Sequence, residues 1–186
     1  HEGMYTDKNL LLREAIKYDP EILAILAEIW AVVDTDGNGK VDHDEYVEMS
    51  KKLYAVFVGE DMEEAVREAE RDWKIDSFGF AFLDRTRFAQ AWYQLADIWT
   101  EEIDKDEYAE FLQVVLECFT RVGDDGKRVL CMDGEVATYE EMKQRRLRRP
   151  APAGAKRRVT AIIAPAEAQR KKMHIFNKKM QIDGNK

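Results

Sequence analysis

Histidine is scarce in this 186-residue chain, and the three present, His1, His43 and His174, are scattered. No Ser/His/Asp or Cys/His constellation is suggested, and no Gly-rich phosphate loop, HExxH or CxxC motif occurs. An enzyme is therefore not expected. Cysteine is rarer still: Cys118 and Cys131 fit no metal-ligand spacing, and buried free thiols in a reducing, cytoplasmic setting are expected rather than a disulfide. No apolar run approaches the roughly 18–20 residues of a membrane span, so no transmembrane segment is expected. No signal peptide is recognised, and a first residue of His in place of Met suggests a natural N-terminus further upstream.

What is present is apolar residues and charge. The composition is 45% hydrophobic and 10% aromatic, which fits a folded chain with a sizeable core. The net charge of −8 conceals a division. Residues 1–142 hold 15 Lys/Arg against 35 Asp/Glu, a net −20, and residues 143–186 hold 14 against 2, a net +12. An acidic body thus carries a basic tail. Such asymmetry speaks to partners rather than to fold.

The most informative stretch is Asp34-Thr35-Asp36-Gly37-Asn38-Gly39-Lys40-Val41-Asp42-His43-Asp44-Glu45. It matches D-x-[DN]-x-[DN]-G-x5-E at every specified position. A hard cation needs oxygen ligands brought to one point by a tight turn. Asp34, Asp36 and Asn38 offer side-chain oxygens, Lys40 its backbone carbonyl, and Asp42 a direct or water-mediated contact. Glu45 can close the sphere with both oxygens, and Gly39 permits the left-handed conformation the turn requires. His43 is expected to point away from the ligands. On these residues the chain resembles the EF-hand family, the calmodulin-like superfamily. The resemblance implies one bound Ca2+ and an all-α fold of helix–loop–helix pairs, with short β pairing between loops.

The rest of the chain extends that layout. Leu11, Leu12, Ala15 and Ile16 predict a helix over 8–18, and Asp19-Pro20-Glu21 reads as the start of the next, with Asp19 as its N-cap. That helix leads into the loop, and the outgoing helix should end near Gly59. Apolar spacing predicts a further helix over about 61–73. Residues 76–87 then align as a second loop, with Leu83 and Asp84 matching Val41 and Asp42. Phe78, Phe80 and Arg87 occupy ligand positions, so this loop reads as a degenerate partner. Residues 96–107 keep only the second half of a third. A helix over 108–122 is expected, then a strand over 127–131 turning at Asp133-Gly134. Thr138 to Glu141 forms a capping box for a last helix.

Four segments follow: an N-terminal helix (1–19), an EF-hand pair (20–87), a divergent helical half (88–149), and a basic linker and tail (150–186). Protein partners are expected, the tail of 143–186 lying on an acidic surface: a microtubule or another assembly component, with an anionic membrane or the chain's own acidic body as the other candidates. Nucleic acid is not favoured, since Phe176 is the tail's one aromatic and no recognition fold is evident. The layout resembles EF-hand proteins of ciliary and other microtubule cytoskeletons. That likeness implies a structural or adaptor role at the cytoskeleton or cilium axoneme. The alternative is a calcium sensor that exposes an apolar groove to a target.

Overall fold

A computed structural model describes residues 7–149. The linker and tail from 150 onwards, together with His1 and His174, lie outside the described residues. The described part holds seven α-helices and two short antiparallel strand pairs. None of its helices is long and apolar enough to cross a membrane.

Helix α1 (Asp7–Lys17) leads to α2 (Pro20–Val33) through the expected cap: Asp19 Oδ1 accepts from the backbone N–H of Glu21 at 2.9 Å. Proline at the first helical position lacks only an N–H that would have no partner there. Then come α3 (His43–Phe57) and α4 (Met62–Asp76). Helix α4 runs three residues beyond its last regularly spaced apolar residue, Trp73, because Asp76 is itself buried and held from α3 by the Tyr46 hydroxyl at 2.6 Å. Helices α5 (Arg85–Trp99), α6 (Lys105–Phe119) and α7 (Tyr139–Arg148) complete the set.

Strand β1 (Val41–Asp42) pairs with β2 (Phe82–Leu83), Val41 facing Leu83, the register expected from aligning the two loops. Two residues per strand make a weak ladder. Here Val41 is fully buried and Leu83 nearly so. Burial of such side chains stabilises by about 1.5–3 kcal/mol each, so the core holds the pair more than its hydrogen bonds do.

The second pair differs from the sequence-based expectation. Helix α6 stops at Phe119, and β3 (Thr120–Val122) pairs with β4 (Arg128–Leu130). The hairpin turns at Gly123 to Gly126, where Gly126 takes φ +79° and Gly123 N–H donates to Lys127 O at 2.7 Å. Asp133-Gly134 lies instead in a single 3-10 turn. Apolar spacing continues smoothly through residue 122. The β-branched Thr120, Val122 and Val129 nevertheless take the extended form once the cross-strand ladder is available.

One apolar cluster runs from Ile16 to Met142 and unites both helical halves. Trp30 meets Phe88 edge-on with centroids 5.1 Å apart, Phe57 stacks on Trp99 at 4.5 Å, and Trp92 stacks on Phe119 at 6.0 Å. Asp97 fastens α1 to this body, accepting from Arg13 Nε at 2.6 Å and from the Tyr108 hydroxyl. Both cysteines are buried and free.

Candidate metal centre

The loop of residues 34–45 is held at both ends by the helices it joins. Asp34 terminates α2, and its carboxylate is drawn inward by two donors. Oδ2 accepts from the Trp30 indole N–H at 3.1 Å and from Gly39 N–H at 3.1 Å. Its other oxygen, Oδ1, is buried and has no hydrogen-bond partner. Asp34 as a whole is only 8% exposed. Leaving a buried carboxylate oxygen unpaired is costly unless a cation or a donor arrives.

Glu45 reaches back from the first turn of α3. Its Oε1 accepts from Thr35 N–H at 2.7 Å and from the Thr35 hydroxyl at 2.8 Å, and Oε2 accepts from Asp42 N–H at 3.2 Å. Carboxylate oxygens of Asp34, Asp36 and Glu45 all lie within 4.8 Å of one another. Among the described residues no other trio of His, Cys, Asp or Glu side chains gathers so closely. Three like charges at this separation favour a bound cation.

The remaining predicted residues shape the loop. Asp36 accepts from Asn38 twice, at 3.0 Å from its N–H and 2.7 Å from its amide Nδ2, and Asn38 Oδ1 accepts from Lys40 N–H at 2.9 Å. Asp42 stands outside the trio and caps α3, its Oδ1 accepting from Glu45 N–H at 3.0 Å. The Lys40 ammonium lies 4.4 Å from the centroid of the Phe82 ring on the neighbouring strand, away from the carboxylates. Gly39 takes φ +80°, and Gly37 also takes a positive value, +68°. His43 turns towards α4, where Glu70 Oε2 lies 3.0 Å from its Nε2; Glu70, with Asp44, raises its pKa.

Several contributors were not evident from sequence reasoning. The Thr35 hydroxyl on Glu45 occupies a position the motif leaves free. The Trp30 bond to Asp34 had one available clue, an aromatic four residues before the loop.

The second loop keeps the frame and changes the contents. Asp76 accepts from Tyr46, Asp84 caps α5 through Arg87 N–H at 2.9 Å, and the Arg87 guanidinium sits 3.8 Å from the centroid of the Phe80 ring. In the third, Asp104 caps α6 and Glu107 Oε2 accepts from Glu102 N–H at 3.2 Å. No curated protein and no solved structure matches the chain. Residues 25–53, which span the first loop with the adjoining parts of α2 and α3, match the EF hand domain, and on this geometry the match supports an EF-hand calcium-binding protein.

Proposed function

We propose that one Ca2+ sits in the 34–45 loop and serves a structural or adaptor protein that acts through protein contacts. The buried, unpartnered Asp34 oxygen carries the assignment of the site. Asp34, Asp36, Asn38 and Glu45 would hold the ion with side-chain oxygens, Lys40 with its carbonyl, and Asp42 directly or through water. The ion supplies positive charge that offsets the repulsion of the loop carboxylates. The chain's own part is to fix α3 relative to α2, because Glu45 belongs to α3 and Asp34 ends α2.

A structural ion is favoured over a sensor because the second and third loops lack ligand sets, which leaves a lone site without a cooperative partner, and because the apolar face has partners of its own. Met49, Phe57, Phe88 and Trp92, which a sensor would uncover, are buried. Phe57 packs on Trp99 and Phe111, and Trp92 on Phe119, so α6 covers this face. Charge supports the partner: 14 cations in residues 143–186 suit an acidic protein surface. The likeness in layout to microtubule-associated EF-hand proteins makes a cytoskeletal assembly, the ciliary axoneme included, the first place to look.

A Ca2+ titration of the full chain followed by thermal unfolding and by an apolar dye tests the ion's role. Stabilisation without new dye binding is expected. Strong dye binding on Ca2+ addition would replace the structural reading with the sensor. Cosedimentation with microtubules, repeated at rising salt and with the Lys/Arg of 143–179 replaced by Gln, tests the partner. Salt-sensitive pelleting that the replacements abolish is expected; no pelleting at low salt would remove microtubules as the surface.

A further inference from the structure

A cavity among the described residues has a charged lining that is wholly basic. It opens between the end of α1, the middle of α2 and the start of α5, with a volume of about 370 Å3. Leu26, Trp30, Phe88 and Tyr93 form apolar walls, and the only charged residues lining it are Lys17 and Arg85. The Lys17 ammonium stands 5.4 Å from the centroid of the Tyr93 ring, with Glu14 3.3 Å from it. The Arg85 guanidinium lies 5.3 Å from the centroid of the Trp30 ring and forms no ion pair among the described residues. In a body with 35 acids against 15 bases, a lining with two cations and no carboxylate departs from the surrounding surface.

We propose that this cavity binds a small anionic amphiphile, its carboxylate between Lys17 and Arg85 and its apolar body against Leu26, Trp30, Phe88 and Tyr93. The volume lies within the roughly 300–1,000 Å3 of small-molecule sites, and an apolar lining with a few convergent charges is their usual make-up. Arg85 is also the first residue of the 15-residue α5; the Asp84 carboxylate caps that helix end through Arg87 N–H, so the guanidinium itself, not the helix terminus, supplies the charge. Charge selects against cationic ligands, and the desolvated aromatic walls select for an apolar body. The reading does not depend on the ion: the cavity shares only Trp30 with the loop, through its bond to Asp34.

The test is calorimetric titration of the full, Ca2+-loaded chain with octanoate, octanol and octyltrimethylammonium, three probes of equal chain length and different charge. Octanoate is expected to bind one per chain and about tenfold more tightly than octanol, the size of one charge-assisted contact. Arg85→Gln and Lys17→Gln should each erase most of that margin. Ala27 is an exposed lining residue, so Ala27→Phe should block octanoate without unfolding the chain, and Ala24→Phe, exposed and outside the lining, should not. Equal binding of octyltrimethylammonium, or octanoate binding unchanged by Ala27→Phe, would overturn the proposal. Ca2+ affinity measured on the same variants stays separate, since a chain that binds octanoate but no Ca2+ refutes only the metal assignment.

Discussion

The loops at 34–45 and 76–87 share a frame and differ in what fills it. Each is 12 residues long, each gives one residue of the Val41–Leu83 pair, and each uses an Asp as N-cap of its outgoing helix. In the first, Glu45 folds into the loop and the Asp34 oxygen waits unpaired. In the second, Arg87 turns onto Phe80 and Asp76 is satisfied by Tyr46. The position held by Asp42 and Asp84 is thus kept by helix capping, whether or not a ligand set surrounds it. Fold and ion binding are separable properties of this motif, carried by different residues.

The largest test of that separation is Glu45→Gln. The amide oxygen can still accept from Asp42 N–H, so the capping box and α3 should survive. One charge and one strong acceptor are lost, and Ca2+ affinity by calorimetry should fall by more than about 100-fold. A variant that binds Ca2+ as the parent does would place the ion elsewhere. Unfolding of the variant at room temperature would show that the two properties are fused.

The first loop was legible because its chemistry is local: ligand spacing, turn glycines and caps are all set within 12 consecutive residues. The Val41–Leu83 register followed from aligning two such loops, and the caps at Asp19 and Thr138 from single side chains with nearby N–H groups. What escaped depends on distant partners. Thr120 to Val122 read as helix because its strand partner lies at 128–130. Asp97 looks like a surface acid until Arg13, 84 residues away, reaches it. The burial of Asp72 and Asp76 arises only when α3 packs on α4, and the basic cavity only when α1, α2 and α5 meet.

Asp76, at the head of the second loop, and Asp72, one turn before it in α4, show what acids do with no ligand set around them. Burial, with Asp76 and Glu68 nearby, pushes the Asp72 carboxyl up to about 8; burial raises Asp76 to about 6 against the opposing Tyr46 hydrogen bond. Asp72 Oδ1 is buried and unpartnered, although the residue as a whole is half-buried. Both pKa values are raised in the folded state, so between the ordinary value of 3.8 and about 8 the folded chain keeps protons that the unfolded chain has released. Stability should therefore fall as pH rises through that window, by at most about 1.4 kcal/mol per unit for Asp72. Asp72→Asn removes its share. In urea unfolding at saturating Ca2+, the variant should gain about 1–2 kcal/mol on the parent at about pH 8 and little at about pH 4. A gain independent of pH would assign the effect to packing.

Two smaller changes sharpen the comparison from the side of the degenerate loop. Asp84→Ala should cost about 1 kcal/mol through loss of the α5 cap and leave Ca2+ stoichiometry and affinity unchanged, read by urea unfolding and calorimetry. Arg87→Glu should likewise leave ion binding unchanged. It puts a carboxylate opposite Asp76, yet Phe78 and Phe80 still stand where oxygens are needed, and Phe78 holds φ +52° in their place. One restored acid cannot supply the several oxygens a Ca2+ ion requires, so stoichiometry should stay as in the parent. Adding Phe78→Asp and Phe80→Asn to that variant should create a second, weaker calorimetric step, because the strand pair and the Asp84 cap already hold the frame. If Arg87→Glu alone produced that step, the missing charge at the twelfth position, rather than the missing oxygens at the third and fifth, would be what separates the two loops.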